Sequence, residues 1–386
     1  MGLHLARTRA LVAAGATAGA IAIAACGSSS STTKTTTPTG TGTTSTTAGA
    51  STAAANGNAQ FLQRPTSIGI TTPIGSAVPK GKTVDFIQCG VPACVVEGDI
   101  LTAAANLLDW KLVRINAGTS PQQITDAYQQ AITNKPDAVV GSGYPRALFN
   151  PEIMTLKSMG IPVVEAFVAD STGDGIYVVA GQKTSEIQGR EVADYVLSQA
   201  RSSSATLGAV VPSGFPNVAV EATAFNGTVR ADCPSCTVKT LTVPVTSIGT
   251  DLPTRVTTFL TANPSISEAW VGYDDMVAGL PVALQGASID KLDVSTISMN
   301  ATVAEYIRQG KYVSSGIGTS FPEVYWREID LLARKFAGKP FTADLDDSTL
   351  PYWTITKANL PSNAGSPLFA NVVDYQSQFK KLWGLG

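Results

Sequence analysis

The sequence predicts an α/β fold in which a parallel sheet with helices on both faces is built twice. Three observations carry this. Short apolar runs of strand type alternate with segments of helical period along residues 80–386. The alternation restarts at Thr206 after a first complete series. The folded stretch is also too long for one ordinary core, because chains beyond about 250–300 residues divide into domains.

The elements follow in order. Thr83–Gln88 reads as a strand, about Val95 to Leu108 as a helix, and Lys111–Asn116 as a strand. The next helix carries its own start signal: Ser120 as N-cap, Pro121 at the first helical position and Gln123 closing a capping box. Ile124, Ala127, Tyr128, Ala131 and Ile132 then share one face. Asp137–Gly141 and Ile161–Glu165 are buried parallel-type strands flanking a helix. The second series has strands at Thr206–Val211, Thr237–Val243, Glu268–Tyr273 and Val294–Met299. Thr302 and Glu305 form a second capping box, and Gly310 ends that helix. In such sheets ligands bind beyond the carboxyl ends of the strands.

The N-terminus reads as an export signal. Arg7 and Arg9 precede a short apolar region, Ala10–Ala22, and Ile23-Ala24-Ala25-Cys26 resembles a lipobox. Cleavage before Cys26 and lipidation of its thiol place the protein on the extracytoplasmic face of a bacterial membrane, since two or more acyl chains anchor firmly. Gly27 to about Asn58 is nearly all Ser, Thr, Gly and Ala and reads as a disordered tether, open to O-glycosylation. Residues 59–79 form a transition, with Phe61, Leu62 and Ile68 expected on the folded body.

Composition removes several functions. Apolar residues make up 44 %, charged residues 15 %, and the formal charge is −2. No basic patch stands out, so nucleic acid is not an expected partner. The one histidine, His4, lies in the export signal. That excludes Ser-His-Asp and Cys-His catalysis and His-ligated zinc. Gly141-Ser-Gly143 is too short for a dinucleotide fingerprint, and Asp170–Gly175 lacks the acidic twelfth position of a calcium loop, where Gly181 stands. No enzyme, cofactor or metal is therefore expected.

Beyond Cys26 the cysteines form two close pairs, Cys89/Cys94 and Cys233/Cys236. Outside the membrane such pairs oxidise, and local pairing is favoured because each falls within one loop of a different lobe. A redox motif at Cys233-Pro-Ser-Cys236 and four thiolates on one zinc are the alternatives.

The run Lys135–Val140, Gly160–Val164, Tyr273-Asp274-Asp275-Met276-Val277-Ala278-Gly279 and Gly310-Lys311 is similar to type 1 periplasmic binding proteins of the ribose-binding class. The two cysteine pairs resemble a sugar-transporter lipoprotein branch of that family. The resemblance covers about residues 82–340. It implies two Rossmann-like lobes joined by a three-crossover hinge, one of residues 80–180 plus 320–345 and the other of 181–319 plus 346–386. It also implies a small ligand clamped between the lobes, a monomer, and an ABC permease that receives the ligand. A ligand-sensing receptor of the same fold, feeding a membrane signalling partner, is the alternative.

Ligand positions carry over residue by residue. The first-strand loop supplies Gln88, Val91 and Cys94. Later strand ends retain the family's Asp and Asn as Asp274 and Asn300, and Thr319 falls at its hinge-side Gln; read from the residues themselves, the strand-end loops also carry Tyr144, Phe167, Phe215 and Tyr273. Aromatic faces would stack on the ligand while amide and carboxylate groups fix its orientation. Two arginines that grip sugar hydroxyls in the family fall here on Phe167-Val168 and near Ala219–Glu221, which counts against an ordinary monosaccharide.

Overall fold

A computed structural model describes residues 57–386 apart from Val91, so the export signal, Cys26, nearly all of the tether and the ligand position assigned to Val91 lie outside the described residues. The first half runs β1 (Thr83–Cys89), α1 (Pro92–Leu107), β2 (Lys111–Gly118), α2 (Pro121–Asn134), β3 (Ala138–Ser142), α3 (Asn150–Ser158), β4 (Val163–Ala166) and β5 (Ile176–Val179). Its sheet is parallel throughout, in the doubly wound order β2-β1-β3-β4-β5. Period-2 alternation sorts the side chains onto two faces. Val84, Phe86, Ala138 and Val140 join the core cluster under α1, while Ile87 and Val139 join the one under α2 and α3.

The second half runs α4 (Gln182–Gln199), β6 (Thr206–Ser213), α5 (Pro216–Asp232), β7 (Thr237–Pro244), α6 (Leu252–Ala262), β8 (Ile266–Tyr273), α7 (Leu280–Gly286), β9 (Asp293–Ile297), α8 (Ala301–Gln309) and β10 (Val313–Gly318). There follow α9 (Phe321–Phe336), β11 (Trp353–Thr356) and α10 (Tyr375–Leu382). The second sheet has the order β11-β10-β9-β8-β6-β7, parallel except for β11, which pairs antiparallel to β10. Two parallel-dominated sheets with helices on both faces match the expected fold. Among the described residues no helix is long and apolar enough to cross a membrane.

The chain passes between the two halves four times, at Ala180-Gly181, at Gly318–Ser320, just before β11, and back again between β11 and Val372. Gly318 has φ +111°, and a β-carbon there would strike the Gln188 amide, so glycine is required at that passage. Asp347 accepts from the amides of Ala180 and Gly181 at 3.0 and 2.7 Å.

Both ends of the described chain return to the first half. Ile68, Ile70 and Ile74 enter its core, and Phe61 lies half-buried with its ring edge-on to Tyr352. The carbonyl of Leu62 accepts from Asn359. The Arg327 and Arg334 guanidinium groups donate to the carbonyls of Ile68 and Thr72 at 2.7 and 2.6 Å. The sequence reading assigns all of 346–386 to the second lobe, and here the structure differs. β11 does join the second sheet, but Val372, Tyr375, Phe379, Leu382 and Trp383 join the first core. The apolar stripe of α10 meets α9, where Trp383 stacks on Trp326 and donates to Asp330 at 2.8 Å. Cys89–Cys94 and Cys233–Cys236 are both disulfides. Cys94 lies in the first turn of α1 rather than in a loop, because that helix starts three residues earlier than its apolar pattern.

The interior of this fold holds several acids. Burial pushes Glu97 up to about 7 and Glu165, Glu191 and Glu323 up to about 8, and it also raises Glu328 well above the ordinary range. The folded state therefore keeps protons that the unfolded chain has released above about pH 4.5, and stability falls as pH rises through this window. Asp346, bonded to Lys183 and Ser348, is held at about 2; Asp344 is held low by Thr342 and the Thr71 and Thr72 amides despite its burial. These two contribute stability that disappears only at stronger acidity. The expected melting temperature is highest near pH 5 and lower at pH 8, by roughly 2 °C for each kcal/mol lost. Calorimetry across pH 4–9 checks this, and a melting temperature that climbs from pH 5 to pH 8 would contradict it.

Candidate functional site

The candidate site is a cleft of about 300 Å³ at the carboxyl ends of the second sheet. Three strand ends build its floor. β8 runs into a single 3₁₀ turn that presents Asp274 and Asp275. β9 leads into Ser298, Met299 and Asn300, and β10 into Gly318, Thr319 and Ser320. Ala93 and Val96 of α1 and Phe321 of α9 supply a wall from the first half. The C-terminal segment supplies another wall through Gly365, Ser366, Pro367, Phe369 and Asn371.

Asp274 is 8 % exposed. Burial first, and then the neighbouring Asp275 charge, push its carboxyl up to about 7, against the opposing hydrogen bond from Ser298. Asp275 is also raised by burial, and its Oδ1 accepts from Asn300 Nδ2 at 3.1 Å. Asn300 faces two ways. Its Oδ1 accepts from the Val303 amide at 3.0 Å, so Asn300 is the N-cap of α8. This corrects the capping box expected at Thr302 and Glu305: the helix begins two residues earlier, where an asparagine can reach the third helical amide. Thr319 is 3 % exposed and lines the cleft, and its Oγ1 makes no hydrogen bond. A buried hydroxyl without a partner normally costs stability, so one in the lining of a cleft marks a place where a ligand's polar group would fit.

Asp274, Asn300 and Thr319 thus come together, whereas the other expected positions among the described residues do not line this cleft. Phe215 and Tyr273 stack edge-on against each other at 5.8 Å. Phe167, with φ +52°, packs on Phe321 at 5.4 Å and so supports the wall instead of forming it. Tyr144 Oη donates to the Gly118 carbonyl at 2.6 Å and ties the end of β2 to the loop after β3. Gln88 keeps a buried, unbonded Oε1 at the end of β1, and the Cys94 sulfur is in its disulfide. Asp275, Met299, Phe321 and the segment 365–371 escape the sequence reading. Asp275 adjoins a chosen residue, but the C-terminal segment has no strand-end signal at all. Cys89, Cys94 and Glu97 lie close enough together to suggest a metal site, but the two sulfurs are bonded to each other and offer no thiolate.

This architecture recurs in solved structures. A solute-binding protein of an ABC transporter from Agrobacterium vitis, with bound allitol, superposes with TM-score 0.63 at 19 % identity, over 73 % of this chain and 97 % of its own. A sugar ABC transporter protein from Yersinia enterocolitica gives 0.62 at 16 %, over 82 % and 98 %. A periplasmic ribose ABC transporter protein from Conexibacter woesei gives 0.60 at 20 %, over 74 % and 95 %. The chain therefore has the type 1 periplasmic binding protein fold, the fold of sugar ABC transporter solute-binding proteins. No protein-family model and no curated protein sequence matches it.

Thr319→Val tests the cleft cleanly, because valine keeps the volume and removes a hydroxyl that bonds to nothing. The ligand-free variant should melt at or above the parent temperature. Its ligand affinity should fall by about 1–3 kcal/mol, measured by titration calorimetry. A destabilised variant with unchanged affinity would return Thr319 to a purely structural role.

Proposed function

We propose that this protein is an extracytoplasmic solute-binding lipoprotein of an ABC importer. It is anchored through Cys26, holds a small sugar-like or polyol ligand in the cleft and passes it to a membrane permease. The observation that carries the reading is the placement of the cleft. Polar groups at three strand ends, one a buried hydroxyl without a partner, face α1 of the other half across the chain passages. Clefts between hinged lobes close on ligands by rotation at a few backbone positions. The neighbouring folds support the ligand class, since one holds allitol and others hold D-allose and D-tagatopyranose. The lipobox-like Ile23–Cys26 and the Ser/Thr tether support the anchor. Among the described residues, the cleft combines hydrogen-bonding groups with apolar walls and contains no histidine, which suits capture and release better than catalysis.

Melting of the purified protein against sugars, polyols, nucleosides and small aromatics is the test. A ligand at 100 times its dissociation constant adds about 2.7 kcal/mol, so the right class should raise the melting temperature by several degrees. Membranes from the native host should retain the protein, and a Cys26→Ser form should be released. Absence of a shift with any polyol or sugar would contradict the ligand class. Release of the parent form would contradict the anchor.

A further inference from the structure

The charges around the cleft are one-sided. Among the described residues its lining contains Asp274 and Asp275, adjacent in sequence, and no lysine, arginine or histidine. Neither acid is in an ion pair among the described residues. Asp275 receives one amide hydrogen from Asn300, and Asp274 is 8 % exposed. Arg64 stacks on the rings of Phe369 and Trp353 at 5.7 and 5.1 Å, but its Nε and Nη2 donate to the carbonyls of Asn371 and Ala370. That guanidinium is committed to the C-terminal segment.

A second observation points to a ligand at the same place. Thr319, 3 % exposed, lines the cleft, and its buried hydroxyl has no hydrogen-bond partner. Phe321 and Phe369 add aromatic rings to the walls. Carboxylates, a free hydroxyl acceptor and aromatic faces are the partners of an ammonium group. Closing two lobes over paired acids removes their water. A neutral polyol would donate hydroxyls to them but leave their charge uncompensated. A cation would compensate it and gain charge-assisted hydrogen bonds, which are roughly twice as strong as neutral ones. Phosphorylated or acidic sugars would be repelled.

We propose that the ligand is a small aminated polyol or amino sugar whose ammonium group is held by Asp274 and Asp275, with Thr319 bonding an adjacent polar group. This deepens the solute-binding reading and rests on it. The test is titration calorimetry at pH 7.5 with two matched pairs, glucose with glucosamine and glucitol with 1-amino-1-deoxyglucitol, plus glucose 6-phosphate. The aminated member of at least one pair should bind at least tenfold more tightly than its neutral partner, and glucose 6-phosphate should not bind. Asp275→Asn should cut the aminated-to-neutral preference at least tenfold, with circular dichroism showing an intact fold; Asp274→Asn gives an independent second variant. Neutral members binding as tightly as aminated ones, or a preference unmoved in both variants, overturns this inference while leaving the solute-binding reading in place. Binding by no member of either pair counts against both.

Discussion

Asn371 donates one amide hydrogen to each of two chain passages, to Gly318 O at 3.0 Å and to Pro351 O at 2.8 Å. The geometry of the cleft depends on that bridge. Its own carbonyl is held by Arg64 at 2.8 Å, and the next amide, of Val372, donates to Glu323 at the start of α9. The passage at Ala180-Gly181 is held by Asp347. Segments more than 300 residues apart in sequence, at Arg64 and Asn371, thus meet at the junction of the two halves. A buried amide satisfied by two carbonyls tolerates few other positions, because each lost bond leaves a desolvated polar group. The C-terminal wall of the cleft is fixed to the passages on which any closure must turn.

The same economy of partners explains the buried charge. α9 is buried along nearly its whole length, yet it carries Arg327, Glu328, Asp330 and Arg334. Arg334 pairs with Asp330 at 2.7 Å, both almost fully buried, and both arginines also hold the N-terminal segment. Removing one partner of such a pair leaves an uncompensated charge, which costs about 3–5 kcal/mol. Glu97, Glu165 and Glu328 have no such cation; burial pushes the first two up to about 7 and about 8 and raises the third as well. Tyr128 donates to Glu165, whereas both carboxyl oxygens of Glu328 are buried without a hydrogen-bond partner.

Much of the fold is legible in the sequence, and the exceptions have physical causes. β1, β3, β4 and α2 announce themselves through continuous apolar runs and a complete capping box, which the structure reproduces at Ser120 and Gln123. β5 and β11 are four residues long, too short for alternation to register. α9 escapes because its buried arginines are satisfied by carbonyls of a distant segment, which no local pattern shows. In the cleft, Asp274, Asn300 and Thr319 are legible because strand ends are where side chains converge. The aromatics are not, because ring faces near strand ends are as well satisfied by one another, as Phe215 and Tyr273 show. Nothing local distinguishes Phe369 or Asn371. Their place depends on contacts with Arg64, Gly318 and Pro351 that only the folded chain brings together.

The central claim is that the two halves form a clamp that closes on a small ligand by turning at the passages between them. Small-angle scattering of the protein, alone and with the sugar or polyol that raises its melting temperature most, tests this most directly. A smaller radius of gyration at saturation, with reduced distance between the halves, is the predicted result. An identical radius with and without saturating ligand would contradict the clamp and leave a static binding module.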